Sequence, residues 1–175
     1  MIPVTAPSLR EAPSTVAVTW DQLHRDARSL AVAAIPLGPF RGIVAVSRGG
    51  LIPAAIVARE LDIRLVETVS IVSYKSDDSR PAQADEAVIL KYPSNVGDGE
   101  GWLVIDDLVD TGRTASVLRR LVPKAHFAAI YAKPLGRPLV DTFVTEVSQD
   151  TWIYFPWDVE LQFIQPIASR GNGGG

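Results

Sequence analysis

The chain has 175 residues, enough for one domain with a substantial core. Its 17 Lys and Arg against 20 Asp and Glu give a net charge of −3, which argues against a basic face that binds nucleic acid. With no cysteine and only two distant histidines, His24 and His126, disulfides, thiolate metal sites, cysteine nucleophiles and a local HExxH pair are excluded, leaving carboxylates, hydroxyls, lysine, arginine and backbone N–H groups.

Residues 1–17 hold three prolines by Ser14 and lack a basic region ahead of an apolar core, so they read as a flexible arm and not a secretory signal. No run reaches the ~18 apolar residues that span a bilayer, and a cytoplasmic protein is expected. Thr19 with Gln22 fits a capping box, and Val18 with Leu23 the matching hydrophobic staple. Trp20, Leu23, Ala27, Leu30 and Ala34 then mark one face of a helix that Pro36 ends. Gly42 to Val46 is β-branched enough for a buried strand, broken by Ser47-Arg48-Gly49-Gly50. A helix follows over Ile52 to Leu61, with Pro53 in its first turn, and Arg64 to Ser73 reads as a strand. Lys75 to Ala84 is too polar to bury a face. Val88 to Leu90 returns as a strand, and Ser94 to Gly101 is a glycine-rich turn. Trp102 to Ile105 is a clear strand that ends at Asp106-Asp107. A helix over Thr114 to Leu121 and a strand over Phe127 to Ala132 follow, closed by Lys133-Pro134. The remainder mixes short apolar runs with Trp152 and Trp157, and 169–175 reads as a flexible tail.

Strands alternating with helices predict an α/β fold: a mostly parallel, twisted sheet with helices on both faces. Ligands of such sheets bind at the carboxyl ends of the strands, where loops 47–50 and 106–114 both lie. Thr111, Gly112 and Thr114 offer hydroxyls and N–H groups at a helix start, a phosphate cradle. Three acids just upstream would repel a bare phosphate but suit a sugar phosphate, with Asp106 and Asp107 on ribose hydroxyls and Mg²⁺ bridging oxygens. An Asp-rich helix cap would use the same residues; two acids ending a buried strand favour the sugar phosphate. Gly49 and Gly50 allow close backbone approach to an anion and Arg48 adds charge, although a plain tight turn would look the same. Neither a P-loop nor a dinucleotide-binding glycine motif is present.

The run Val104-Ile105-Asp106-Asp107-Leu108-Val109-Asp110-Thr111-Gly112-Arg113-Thr114 resembles the diphosphoribosyl-binding signature of type I phosphoribosyltransferases. Val18 to Asp21, Ala45 to Leu51, Gly97 to Gly101, Ala132 to Val140 and Gln149 to Ile153 resemble the bacterial purine enzymes of that family that act on xanthine and guanine. The similarity runs from Val18 to Pro166. It implies the type I fold over 18–168, with a small C-terminal hood over 133–166 for base recognition and a mobile lid loop over 73–84. It also implies transfer of phosphoribosyl from 5-phosphoribosyl 1-diphosphate to N9 of xanthine or guanine, with hypoxanthine poorer. By position, Arg48 and Gly49 would hold pyrophosphate, and Arg80 on the lid would close over it. Thr111, Gly112, Arg113 and Thr114, with the Leu108 and Val109 backbone, would cradle the 5′-phosphate. Asp106 and Asp107 would take the ribose, with Asp107 nearest Mg²⁺. Asp110 would face N7 as general acid/base, Lys133 the 6-oxo group, Trp152 the purine face and the Ile153 backbone the 2-position. His126 reads as structural.

The family further implies a homotetramer and peripheral association with the inner membrane, for which the sequence carries no amphipathic signature. Three departures bear on base preference and lid kinetics: Arg113 where glycine is usual, Tyr154 in place of an acid, and a longer region over 81–96. A hypoxanthine-guanine enzyme and a non-catalytic nucleotide sensor are the competing readings; Arg80 and the net charge argue against the sensor.

Overall fold

In a computed structural model of the chain, residues 14–73 and 87–158 are described. The expectations for Arg80, the lid loop beyond residue 73, the hood beyond 158 and the tail lie outside them. Thr15–Ala17 form a short strand, β1, so strand replaces the expected arm at its last three residues. Thr19 caps α1 (Trp20–Ala34), its side chain accepting from the Gln22 N–H at 3.2 Å. The reciprocal half of the box is not formed, because Gln22 Oε1 accepts from the Arg25 guanidinium at 2.7 Å while Gln22 Nε2 donates to Asp26 Oδ1 at 2.7 Å. Leu23, Ala27, Leu30 and Ala34 are buried as the spacing predicts, joined by Asp26 and Ala31. Trp20, expected on that face, is 55% exposed. Periodicity fixes the face of a helix but not how far along it the neighbours reach.

The main sheet contains β2 (Gly42–Ser47), β3 (Val66–Ser73), β4 (Ala87–Lys91), β5 (Trp102–Val109), β6 (His126–Ala132) and β7 (Thr142–Glu146). Its order is β4-β3-β2-β5-β6-β7, parallel throughout except for β4 on the edge. α1 lies on β6, β7 and α2 (Leu51–Glu60), and α2 in turn packs on β2 and β5; α3 (Arg113–Leu121) packs toward β3 and β4. Val44, Val46, Trp102, Val104, Leu118, Val122 and Phe127 form one buried cluster that includes α3. By strand alternation, Ile43, Ala45, Leu103 and Ile105 turn to the opposite face, and all four are fully buried. Each buried Val, Leu or Ile contributes about 1.5–3 kcal/mol, which is why the two central strands read so clearly in the sequence.

Two elements differ from expectation. β5 does not stop at the double aspartate: Asp106, Leu108 and Val109 stay in register with Ala129, Tyr131 and Ala132 of β6. The ladder to a neighbouring strand holds polar residues extended where their own propensity would not. β7, within the segment expected to form the hood, pairs with β6 as the sheet edge. His126 opens β6 with Nε2 2.8 Å from Thr142 Oγ1, the structural role expected of it. Burial, with Arg119 nearby and despite Asp141, lowers its pKa.

Chain contacts divide residues 1–18 with 150–175 from residues 19–149. In the first unit β1 pairs in parallel with β8 (Trp152–Tyr154), Val16 lying opposite Ile153. The Trp152 N–H donates to the Ser14 carbonyl and the Val18 N–H to that of Tyr154, both at 2.8 Å.

Candidate functional site

Chain direction reverses beside β2: the chain moves from β2 to β3 on one side, and β5 enters on the other. Such a switch point opens a crevice at the carboxyl ends of the strands. The loop after β2 and the loop after β5 both face it.

In the first loop the Gly50 N–H donates to the Val46 carbonyl at 2.8 Å, and the Ser47 hydroxyl to that of Val69 at 3.1 Å. The Ser47–Arg48 peptide is cis. A Cβ on Gly49 would enter the Asp107 carboxylate, and one on Gly50 would enter the carbonyl oxygen of Ile105. The paired glycines are therefore required by close packing, and they bring the loop after β2 onto the carboxyl end of β5. Arg48 is exposed beside them.

Adjacent positions of β5 place Asp106 and Asp107 on opposite faces of the strand. The Asp107 N–H donates to Asp106 Oδ1 at 3.0 Å, and the Leu108 N–H to Asp107 Oδ1 at 2.8 Å. Burial, and then the neighbouring Asp107 carboxylate, push Asp106 well above the usual carboxylate range. The Asp106 carboxyl therefore resists ionising next to Asp107. The Leu108 N–H serves Asp107 and the Val109 carbonyl accepts from the Lys133 N–H at 3.0 Å, so both residues engage internal partners.

The chain then turns through Asp110, Thr111 and Gly112 into α3. Gly112 caps the helix at φ 79°, where a Cβ would meet Leu139 Cδ1 at 2.6 Å, and no side chain caps the first turn. Helix N-terminal amides lack intrahelical partners and attract anions, the property expected of this cradle. Thr111 and Arg113 are exposed and Thr114 is half-buried at the same end. Arg119 of α3 secures the neighbouring turn, pairing with Asp141 at 2.6 Å and donating to the Leu139 carbonyl.

Lys133, at the end of β6, is only 5% exposed, and its Nζ lies 3.1 Å from Asp110 Oδ2. Gln149 Nε2 donates to the other carboxylate oxygen, Asp110 Oδ1, at 2.8 Å. The structure therefore joins two residues expected in separate roles, Asp110 and Lys133, and adds a third. Gln149 was missed as a site residue; its only trace in the sequence was membership of the Gln149 to Ile153 run. Among the described residues no three His, Asp or Glu side chains cluster as a closed metal site.

Two glycine-bearing loops, the adjacent Asp106 and Asp107, and the Lys133–Asp110 pair stand at the carboxyl ends of β2, β5 and β6. A family model for the phosphoribosyl transferase domain matches residues 19–164. The chain belongs to the phosphoribosyltransferase family. It is 60% identical to xanthine-guanine phosphoribosyltransferase of Desulfotalea psychrophila over 156 residues, 89% of this chain and 94% of that one. With the Gluconobacter oxydans enzyme of the same name, identity is 54% over 167 residues, 93% and 97% of the two chains. Among solved structures, purine phosphoribosyltransferase from Pyrococcus horikoshii superposes with a TM-score of 0.71 at 28% identity, covering 87% of this chain and 99% of that one. The type I phosphoribosyltransferase fold expected from the sequence is thus the fold observed.

The remaining residues expected at a phosphoribosyltransferase base pocket, Trp152 and Ile153, stand on β8 in the other unit. Trp152 is 58% exposed and Ile153 is buried. Tyr154, the departure noted above, meets the Trp152 ring edge-on at 6.4 Å between centroids.

Proposed function

We propose that the chain is a purine salvage enzyme that transfers phosphoribosyl from 5-phosphoribosyl 1-diphosphate to N9 of xanthine or guanine, with hypoxanthine a poorer acceptor. The observation that carries this is the meeting of the two loops at the switch point, with Gly49 packed onto Asp107 and Asp110 paired to Lys133 beside them. The names and identity of the relatives above support the choice of bases.

N9 attacks C1′, and the C1′–O bond breaks with its electron pair leaving on pyrophosphate. Charge that builds on the leaving group is met by Arg48 and by backbone N–H groups at Gly49, while the sugar gains positive character. The amides and hydroxyls of residues 111–114 hold the 5′-phosphate, and Asp106 and Asp107 accept hydrogen bonds from ribose hydroxyls. Together they fix C1′ opposite N9. Lys133 donates to the 6-oxo oxygen. Asp110 takes the N7 proton that the base loses as N9 bonds to carbon.

Mg²⁺ suits the Asp107 carboxylate, a hard oxygen donor at the carboxyl end of β5, where no closed three-acid cage forms among the described residues. A hard cation that keeps waters and shares substrate phosphate oxygens needs no more. Asp107 would hold it, and when bound it would neutralise charge on the diphosphate. No helix among the described residues is long and apolar enough to cross a membrane. A cytoplasmic homotetramer is part of the same reading, for which exposed Val32, Ile35 and Leu37 offer apolar surface.

The deciding experiment compares pyrophosphate release with xanthine, guanine and hypoxanthine as sole acceptors, with Mg²⁺ and with EDTA. Turnover of xanthine and guanine above hypoxanthine, lost in EDTA, is expected. Strong hypoxanthine preference with no xanthine turnover would make it a hypoxanthine-guanine enzyme, and no release with any base would refute the reaction.

A further inference from the structure

We propose that Gln149 is the positioning residue for Asp110, holding its carboxylate in the orientation from which it takes the N7 proton. This rests on the reading of Asp110 given above. A glutamine amide presents a donor end and an acceptor end, and which end faces a neighbour is decided by its other partner. Here the Leu135 N–H donates to Gln149 Oε1 at 3.0 Å. That backbone group claims the acceptor end, so the donor end must face Asp110, and Nε2 lies 2.8 Å from Oδ1.

Asp110 needs such a hold. Its side chain is 48% exposed, and its residue follows the last position of β5, where the ladder no longer restrains it. Gln149 takes Oδ1, leaving Oδ2 on the side of the buried Lys133 ammonium. An ammonium has three N–H donors and serves both Oδ2 and a 6-oxo oxygen. N7 and the 6-oxo group share one edge of an oxopurine, so Oδ2 and Nζ form a matched pair for that edge. The hold on Oδ1 sets its register. The 2-position, where xanthine, guanine and hypoxanthine differ, lies on another edge. Gln149 therefore acts on turnover of all three bases alike and not on the choice among them.

The test uses the full chain. Gln149→Met keeps the side-chain length and removes both hydrogen bonds. Turnover is expected to fall about 10-fold to 100-fold with each base, the scale of a misplaced catalytic group, with KM for phosphoribosyl diphosphate unchanged. Gln149→Glu keeps an acceptor for Leu135 but sets a carboxylate against Asp110. That variant should be slower still at pH 8 and recover as pH falls and the new carboxyl gains a proton to donate, a pH profile that a purely structural role would not produce. In an Asp110→Asn background, Gln149→Met should cost nothing further. Wild-type turnover and pH profile in both Gln149 variants, with Asp110→Asn crippled, would overturn the inference and leave the reading of Asp110 intact. An effect confined to one base would also overturn it. If Asp110→Asn itself turns over like the wild type, the reading of Asp110 fails instead.

Discussion

Replacing Gly49 by alanine sets a methyl group where the Asp107 carboxylate lies. The flexible partner yields, so Asp107 must rotate away and release the Leu108 N–H that now donates to it at 2.8 Å. A hydrogen bond to a charged group is worth about 1.5–3 kcal/mol. Alanine returns about 0.4–1 kcal/mol by restricting the unfolded chain. The net loss is about 1–2 kcal/mol, which for a chain of this size lowers the melting temperature by about 2–8 °C. Activity should suffer far more, because in the proposed mechanism the displaced carboxylate serves ribose and Mg²⁺; a shift on the order of 1 Å costs about 100-fold. Pyrophosphate release at saturating base and a thermal melt in EDTA separate the two effects. Wild-type turnover with an unchanged melt would mean that Asp107 does not need its present seat, and would refute the reasoning.

The neighbouring Gly50→Ala should behave oppositely, harming stability first. Its φ of −70° suits any residue, so chain entropy alone favours alanine, yet its Cβ would meet the Ile105 carbonyl oxygen and, at 2.7 Å, that of Val46. Backbone of two central strands cannot yield, and a net destabilisation of about 1–3 kcal/mol is expected as a lower urea midpoint at constant m; a more stable variant would contradict it. His126 supplies a pH prediction. Its folded pKa is lowered, so its contribution is present above the unfolded value of about 6.5 and is lost as pH falls through that value toward the folded one. His126→Gln should flatten the stability–pH curve between pH 7 and 5; parallel curves for the two proteins would rule this out.

Much of the molecule was legible because its signals are local. β2 and the first half of β5 are short β-branched runs, and the glycine and threonine turns after them follow from the conformations those residues supply. What was not legible depends on partners remote in sequence. The Asp106–Val109 half of β5 is held extended by β6 against the poor strand propensity of its two aspartates, and β7, though rich in Thr, Phe and Val, owes its place at the sheet edge to its pairing with β6. Asp26 looks like a surface acid on α1, yet it is buried and accepts from Tyr131, 105 residues away, at 2.7 Å. That bond and burial raise the tyrosine pKa, burial being the larger cause. Lys133, taken alone, reads as a solvated lysine; its burial follows from the end of β6 and the turn behind it. Gln149 carries no spacing signal, and its role emerges only when Leu135 and Asp110 flank it.

The pairing of β1 with β8 bears on how the protein is made. Thr15 lies opposite Trp152, so this ladder closes a loop of well over a hundred residues. During synthesis the 19–149 sheet can assemble in order as its strands leave the ribosome, each βα unit docking on the last. β1 must wait, unpaired, until residue 154 has emerged. A ribosome-stalled chain ending before β8 would therefore carry the loops after β2 and β5 complete, yet lack the strand that bears Trp152 and leave β1 without its partner.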